Sequence, residues 1–225
     1  MMLGSQLRRF SWYRRLRRRK SFGLNQLDLK LEPYLDFDGG IFVEAGANDG
    51  VRQSNTLYFE KYRGWTGLLV EPIPELAERC RKNRPRCIVE NVALVPDNYP
   101  DATIEMQYCN LMSVVKGAMK TPEEEIQHIR VGCECQKIDS YALRVPTATL
   151  TSLLRRHNFT HIDLLSLDVE GYELKALRGL DLEQFRPRFM LIEARYRDEI
   201  DRHLEGHYRP VADLSHHDVL YEALR

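Results

Sequence analysis

The residues of this sequence that could do chemistry gather at the ends of short apolar runs. The first group is FVEAGANDG, Phe42 to Gly50, where Gly46 and Gly50 let the backbone turn tightly beneath a bound ligand. A glycine turn also serves a bare strand-to-helix corner, so it points to a ligand only in company. Glu71 supplies that company. It closes TGLLVEP, 21 residues beyond Gly50, where a carboxylate can accept hydrogen bonds from both hydroxyls of an adenosine ribose. The loop lacks G-x-G-x-x-G because Asn48 stands at the middle glycine position, and no pyrophosphate-cradling turn follows. An adenosine cofactor without phosphate is favoured over a dinucleotide.

The second group is SLDVEGYE, Ser166 to Glu173. Asp168 and Glu170 lie at the carboxyl end of an almost wholly apolar strand, the edge where open α/β sheets bind ligands. Burying acids there is costly unless they are paired, hydrogen-bonded or metal-bound, so the cluster invites a functional reading. Glu173 is better read as a cap on the helix that begins near Tyr172, using the favourable dipole. Glu193, ending RFMLIEA, faces the same edge, whereas His161, just before the strand, reads as structural.

The elements that must position these residues alternate. IFVEAG, TGLLVEP, CIVENVAL, IDLLSLDV and RFMLIEA read as strands, with helices over Ser54 to Tyr62, Ile73 to Asn83, TLTSLLRRHN and YELKALRGL. This is the pattern of βαβ units, a mostly parallel doubly wound sheet in an α/β fold. At the end, YRPVADL and HDVLYEAL are joined too closely for a helical crossover and must pair antiparallel. Residues 96–147 are less regular, with alternating ATIEMQYC and charged PEEEIQHIR, and are the expected acceptor-facing insertion.

The 225 residues are 43% hydrophobic, enough for one large domain with a proper core. The expected division is a basic amphipathic segment over residues 1–33 and a domain over residues 34–225. Eight of the 33 Lys and Arg residues fall in the first 22 positions, with no acid among them, so the remainder is net acidic. That counts against a nucleic-acid partner. Leu3, Leu7, Phe10, Tyr13 and Leu16 recur at helical steps between arginines, so residues 3–20 can form a basic amphipathic helix, open to three readings: packed on the domain edge, a frayed solvated terminus, or lying on an anionic membrane surface. No run is long enough to span a bilayer, and the arginines interrupt any secretory signal, giving a cytoplasmic expectation, with peripheral membrane contact through residues 3–20 as one of the open readings. Five scattered cysteines read as reduced thiols; Cys133 and Cys135, with His128 nearby, lack the paired spacing of a structural zinc site.

FVEAGANDG, GWTGLLVEP, NVAL, TLTSLL, IDLLSLDVEGYELKALRG and RFMLIEA, in this order, resemble the FkbM family of S-adenosylmethionine-dependent methyltransferases over residues 41–194. The resemblance implies a Rossmann-like class I methyltransferase fold. It places Glu44, Gly46, Asn48 and Gly50 on the methionine and ribose side of S-adenosylmethionine, Glu71 on the ribose hydroxyls and Asn91 beside the adenine. It implies a hydroxyl acceptor on a sugar, a polysaccharide precursor or a secondary metabolite. For such an acceptor Asp168, Glu170 and Glu193 are the catalytic candidates, with Asp168 acting as base or holding a divalent cation together with Glu170. Two other readings stay open: a nicotinamide-dependent oxidoreductase, and a methyltransferase-like module without catalysis that binds a membrane or partner.

Overall fold

A computed structural model describes residues 20–224. Residues 3–19 of the amphipathic segment lie outside the described residues. The central sheet is formed by β1 (Ile41–Ala45), β2 (Thr66–Val70), β3 (Ile88–Glu90), β8 (Leu164–Leu167), β9 (Phe189–Glu193), β10 (Tyr208–Asp213) and β11 (Asp218–Ala223). Their order across the sheet is β10-β11-β9-β8-β1-β2-β3. All neighbours from β9 to β3 pair parallel, while β11 runs antiparallel to both β9 and β10. The expected terminal pair forms, and β11 is the strand that runs against the rest.

Side chains alternate across each strand, so both faces of the sheet carry a core. Val43, Leu68, Leu165 and Met190 join one apolar cluster with Leu153, Leu177 and Ile200. These belong to helices α5 (Leu150–Arg156), α6 (Glu173–Leu177) and α7 (Arg197–Leu204). Phe42, Leu69, Leu164 and Leu191 face the other way, against Leu27, Leu31, Tyr58, Phe59 and Cys80. The helices there are α1 (Leu27–Leu31), α2 (Leu57–Arg63) and α3 (Pro74–Asn83).

The sequence suggests one strand over CIVENVAL, but the chain breaks it in two. After β3 the Asn91 side chain donates to the carbonyls of Glu71 and Pro72, at 2.9 and 2.8 Å. The chain then leaves the main sheet, and β4 (Ala93–Leu94) joins a second sheet. Residues 96–147 are more regular than their composition suggests. β5 (Thr103–Tyr108), β6 (Val114–Val115) and β7 (Tyr141–Ala148) make a four-stranded sheet with β4, in the order β4-β7-β5-β6. The charged PEEEIQHIR piece opens helix α4 (Pro122–Gln136), where the Thr121 hydroxyl caps the amide of Glu124.

Candidate functional site

Strand register assembles the site. Ala45 pairs with Val70 on one side and Leu167 on the other, and Leu167 pairs with Ile192. The residues that follow are Gly46, Glu71, Asp168 and Glu193, brought to one level on four adjacent strand ends. This is the edge where the chain order reverses between β1 and β8, and the crevice there is where open α/β sheets take ligands.

A cavity of about 420 Å³ opens on that edge, a size that holds a small-molecule ligand. Gly46, Asn48, Glu71, Asp168, Glu170 and Glu193 line it. Gly46 has φ +84°, and a Cβ placed there would sit 1.9 Å from the carbonyl oxygen of Asp168. The two motifs touch backbone to backbone. Glu71 accepts hydrogen bonds from the amides of Asn48 (2.7 Å) and Ile73 (2.9 Å). Burial pushes this carboxyl up to about 7, against the opposing pull of those amides.

Glu44, Gly50 and Asn91 stand behind the wall and are not among its lining residues. The Glu44 carboxylate accepts from Ser54 Oγ (2.9 Å), the Asn55 amide (2.8 Å) and Thr56 Oγ1 (2.6 Å). It shapes the loop after β1, which is why helix α2 starts only at Leu57 and not at Ser54. Behind it lies Arg84, fully buried, which pairs with Glu60 and donates to the Gly50 carbonyl, Ser54 Oγ and Thr56 Oγ1. Sequence reasoning missed Arg84 because it stands in the charged run RCRKNRPRC, where nothing marks one arginine as internal.

The strand-end acids crowd one another. Asp168 is exposed to solvent where its carboxylate opens onto the cavity, although protein crowds the carboxyl closely. Desolvation by that surrounding protein, then the neighbouring Glu193, Glu170 and Glu173, hold its carboxyl above the ordinary range. Burial and Glu193 push Glu170 up to about 8, with Arg195 opposing. Burial likewise raises Glu173 to about 7 and Glu193 in the same direction. Glu173 accepts from the amides of Val169 and Gly171, both at 3.0 Å; these precede the helix, so its carboxylate holds the turn after β8 and does not cap the helix amides as the sequence suggested. Among the described residues, the carboxylates close enough to share a cation are Asp168, Glu173 and Glu193, within 4.8 Å of one another. Glu170 is not one of them; it lies 3.5 Å from His128 Nε2 and 3.7 Å from Arg195.

The insertion closes the far side of the cavity with Met106, Asn110, Leu111, Met112, Ser113 and Gln136. Asn110 also accepts from the Asn48 side chain at 3.2 Å, tying the insertion to the cofactor loop. Arg52, Gln53 and Arg195 are further lining residues that no sequence motif announced.

The model of the methyltransferase FkbM domain matches residues 44–220. The chain belongs to the FkbM family of S-adenosylmethionine-dependent methyltransferases. Its architecture is the class I methyltransferase fold. Among solved structures, an FkbM methyltransferase from Methylobacillus flagellatus is 13% identical, with a TM-score of 0.47 over 96% of this chain and 59% of that one. A putative caffeoyl-CoA O-methyltransferase from Staphylococcus aureus is 7% identical, with a TM-score of 0.49 over 97% and 92% of the two chains. A TehB-like SAM-dependent methyltransferase from Corynebacterium glutamicum is 10% identical, with a TM-score of 0.44 over 97% and 96%. No curated protein matches the chain.

Proposed function

We propose that this FkbM-family protein transfers a methyl group from S-adenosylmethionine to a hydroxyl of a sugar, polysaccharide precursor or secondary metabolite, with Asp168 as the base. The observation that carries this reading is that Glu71 and Asp168 line one cavity across Gly46. A carboxylate suited to a ribose and one suited to a proton thus flank the same space. Bound S-adenosylmethionine would supply an electrophilic methyl on a positively charged sulfur. Glu71 would hold the cofactor's ribose. Asp168 would take the proton that the acceptor hydroxyl gives up as it receives the methyl group. The insertion excludes water and aligns the acceptor; such alignment is worth up to roughly 7–11 kcal/mol. A base adds on the order of 10²–10⁴ in rate.

Thermal melting tests the cofactor half. S-adenosylhomocysteine at 100-fold excess over its dissociation constant adds about 2.7 kcal/mol, a rise of about 5–10 °C for a chain of this size. NAD should give no rise, and Glu71→Ala should abolish most of the S-adenosylhomocysteine effect while leaving the free protein folded. A rise with NAD alone would overturn the assignment. EDTA separates the two roles open to Asp168. A simple base is indifferent to it, whereas activity lost to EDTA and restored by magnesium would move the chemistry to a cation on Asp168, Glu173 and Glu193.

We also propose that the basic N-terminal segment meets an anionic membrane surface. Among the described residues no helix is long and apolar enough to cross a membrane. Gly23 forms a parallel bridge with Gln53, and half-exposed Leu24 lines the cavity beside Arg52 and Gln53. The chain therefore enters the domain at the rim of the site.

A further inference from the structure

Cys109 ends the β5 hairpin arm and Cys133 lies near the end of α4, and their sulfurs stand 3.3 Å apart. The contact depends on Gly132. A Cβ there would lie 2.6 Å from the Cys109 sulfur, so this glycine, costly inside a helix by roughly 1 kcal/mol, is what lets the thiol reach the helix. A disulfide needs about 2.05 Å between sulfurs, which side-chain rotation and a small approach of α4 would supply. Cys135, exposed on the cavity wall, is two residues from Cys133 and so points to a different side of the helix.

We propose that Cys109 and Cys133 form a specific, reversible disulfide that fixes the insertion over the cavity, with a low-molecular-weight disulfide such as oxidised glutathione as the oxidant. Cys133, partly exposed, meets the oxidant first. Its thiolate bonds to one glutathione sulfur and the other glutathione leaves as a thiol. Cys109 then loses its proton and attacks the Cys133 sulfur, releasing the second glutathione. Two protein thiols are oxidised and one glutathione disulfide is reduced to two thiols. Burial, and the Cys133 sulfur beside it, push the Cys109 thiol up to about 12, so the second step is slow at neutral pH and quickens as pH rises.

The bond would act on the acceptor side. The Gln136 side chain of α4 donates to the Cys109 carbonyl at 2.7 Å and accepts from the Leu111 amide at 3.2 Å. Gln136 and Leu111 both line the cavity, so the bridge sets the spacing of that wall.

The test is peptide mapping under non-reducing conditions after the reduced protein is incubated with oxidised glutathione across pH 7 to 9. The expected product is one crosslink joining the Cys109 and Cys133 peptides, with the mass of two hydrogens lost. It should form in Cys135→Ser as readily as in wild type, be absent in Cys133→Ser, and raise the melting temperature by a few degrees, reversed by dithiothreitol. A Cys133–Cys135 link, or glutathione retained on Cys133 with Cys109 still reduced at pH 9, overturns the proposal. The readout is covalent mass, so it stands or falls apart from the methyltransferase reading.

Discussion

At the residue scale the acids at the strand ends crowd one cavity, and the proposed chemistry is tested on them first. Replacing Asp168 by Asn keeps size and most hydrogen bonding while removing the proton acceptor, so turnover on an identified acceptor should fall by about two to four decades with cofactor affinity nearly unchanged. Full turnover would transfer the role to Glu170 or Glu193. The same crowding sets a pH dependence of stability. Glu71 and Glu173 are pushed up to about 7 and Glu170 to about 8 from ordinary values near 4.5. The native state therefore holds more protons than the unfolded chain across that window, and stability drops as pH rises through it. Melting temperatures of the free protein should decline from pH 5 to pH 8.5; a flat or rising profile would show that these acids are paired by something else. Asp168 and Glu71 were legible in sequence because each ends an apolar strand. Glu44 stands near the end of one too, yet its carboxylate is taken up by Ser54, Asn55 and Thr56. Sequence cannot tell a carboxylate that faces the ligand from one that holds the loop, because pleat direction and loop path decide between them.

At the element scale the site exists because two strand-to-loop turns pack without side chains between them. Gly46→Ala would need an alanine at φ +84° with its Cβ 1.9 Å from the Asp168 carbonyl oxygen. The left-handed backbone alone costs roughly 1–2 kcal/mol, and the clash must push the two loops apart. The expected result is a folded but less stable protein, by about 3 kcal/mol or more in denaturant melts, that no longer binds S-adenosylhomocysteine. A variant as stable as wild type would mean that the loops are free to separate. Parallel strands, connecting helices and the terminal antiparallel pair were readable from periodicity, since that signal is local. The break at Asn91 and strand β7 were not. Asn91 acts through carbonyls 19 and 20 residues away, and YALRVPTA carries a proline and half-exposed faces that blur its alternation.

At the scale of the whole molecule, the charge is divided between a basic N-terminus and an acidic body whose site opens beside the junction. Residues 1–19 carry seven of the eight leading cations, and the chain reaches the cavity rim at Leu24 soon after. A surface that attracts the segment would thereby bring the cavity to an acceptor held on that surface. Each Lys or Arg near an anionic bilayer contributes about 1 kcal/mol at most, and the attraction fades within a Debye length, about 10 Å at 0.1 M salt and 3 Å at 1 M. Full-length protein should sediment with vesicles containing phosphatidylserine at low salt, release at 1 M salt, and ignore neutral vesicles. Deleting residues 1–19 should abolish sedimentation while leaving the S-adenosylhomocysteine melting shift intact, because the first fully buried apolar residues on the N-terminal side, Leu27 and Leu31, are retained. If the shortened protein fails to fold, or binds vesicles as well as before, the segment belongs to the core or to another partner, and the membrane reading is lost without touching the cofactor site.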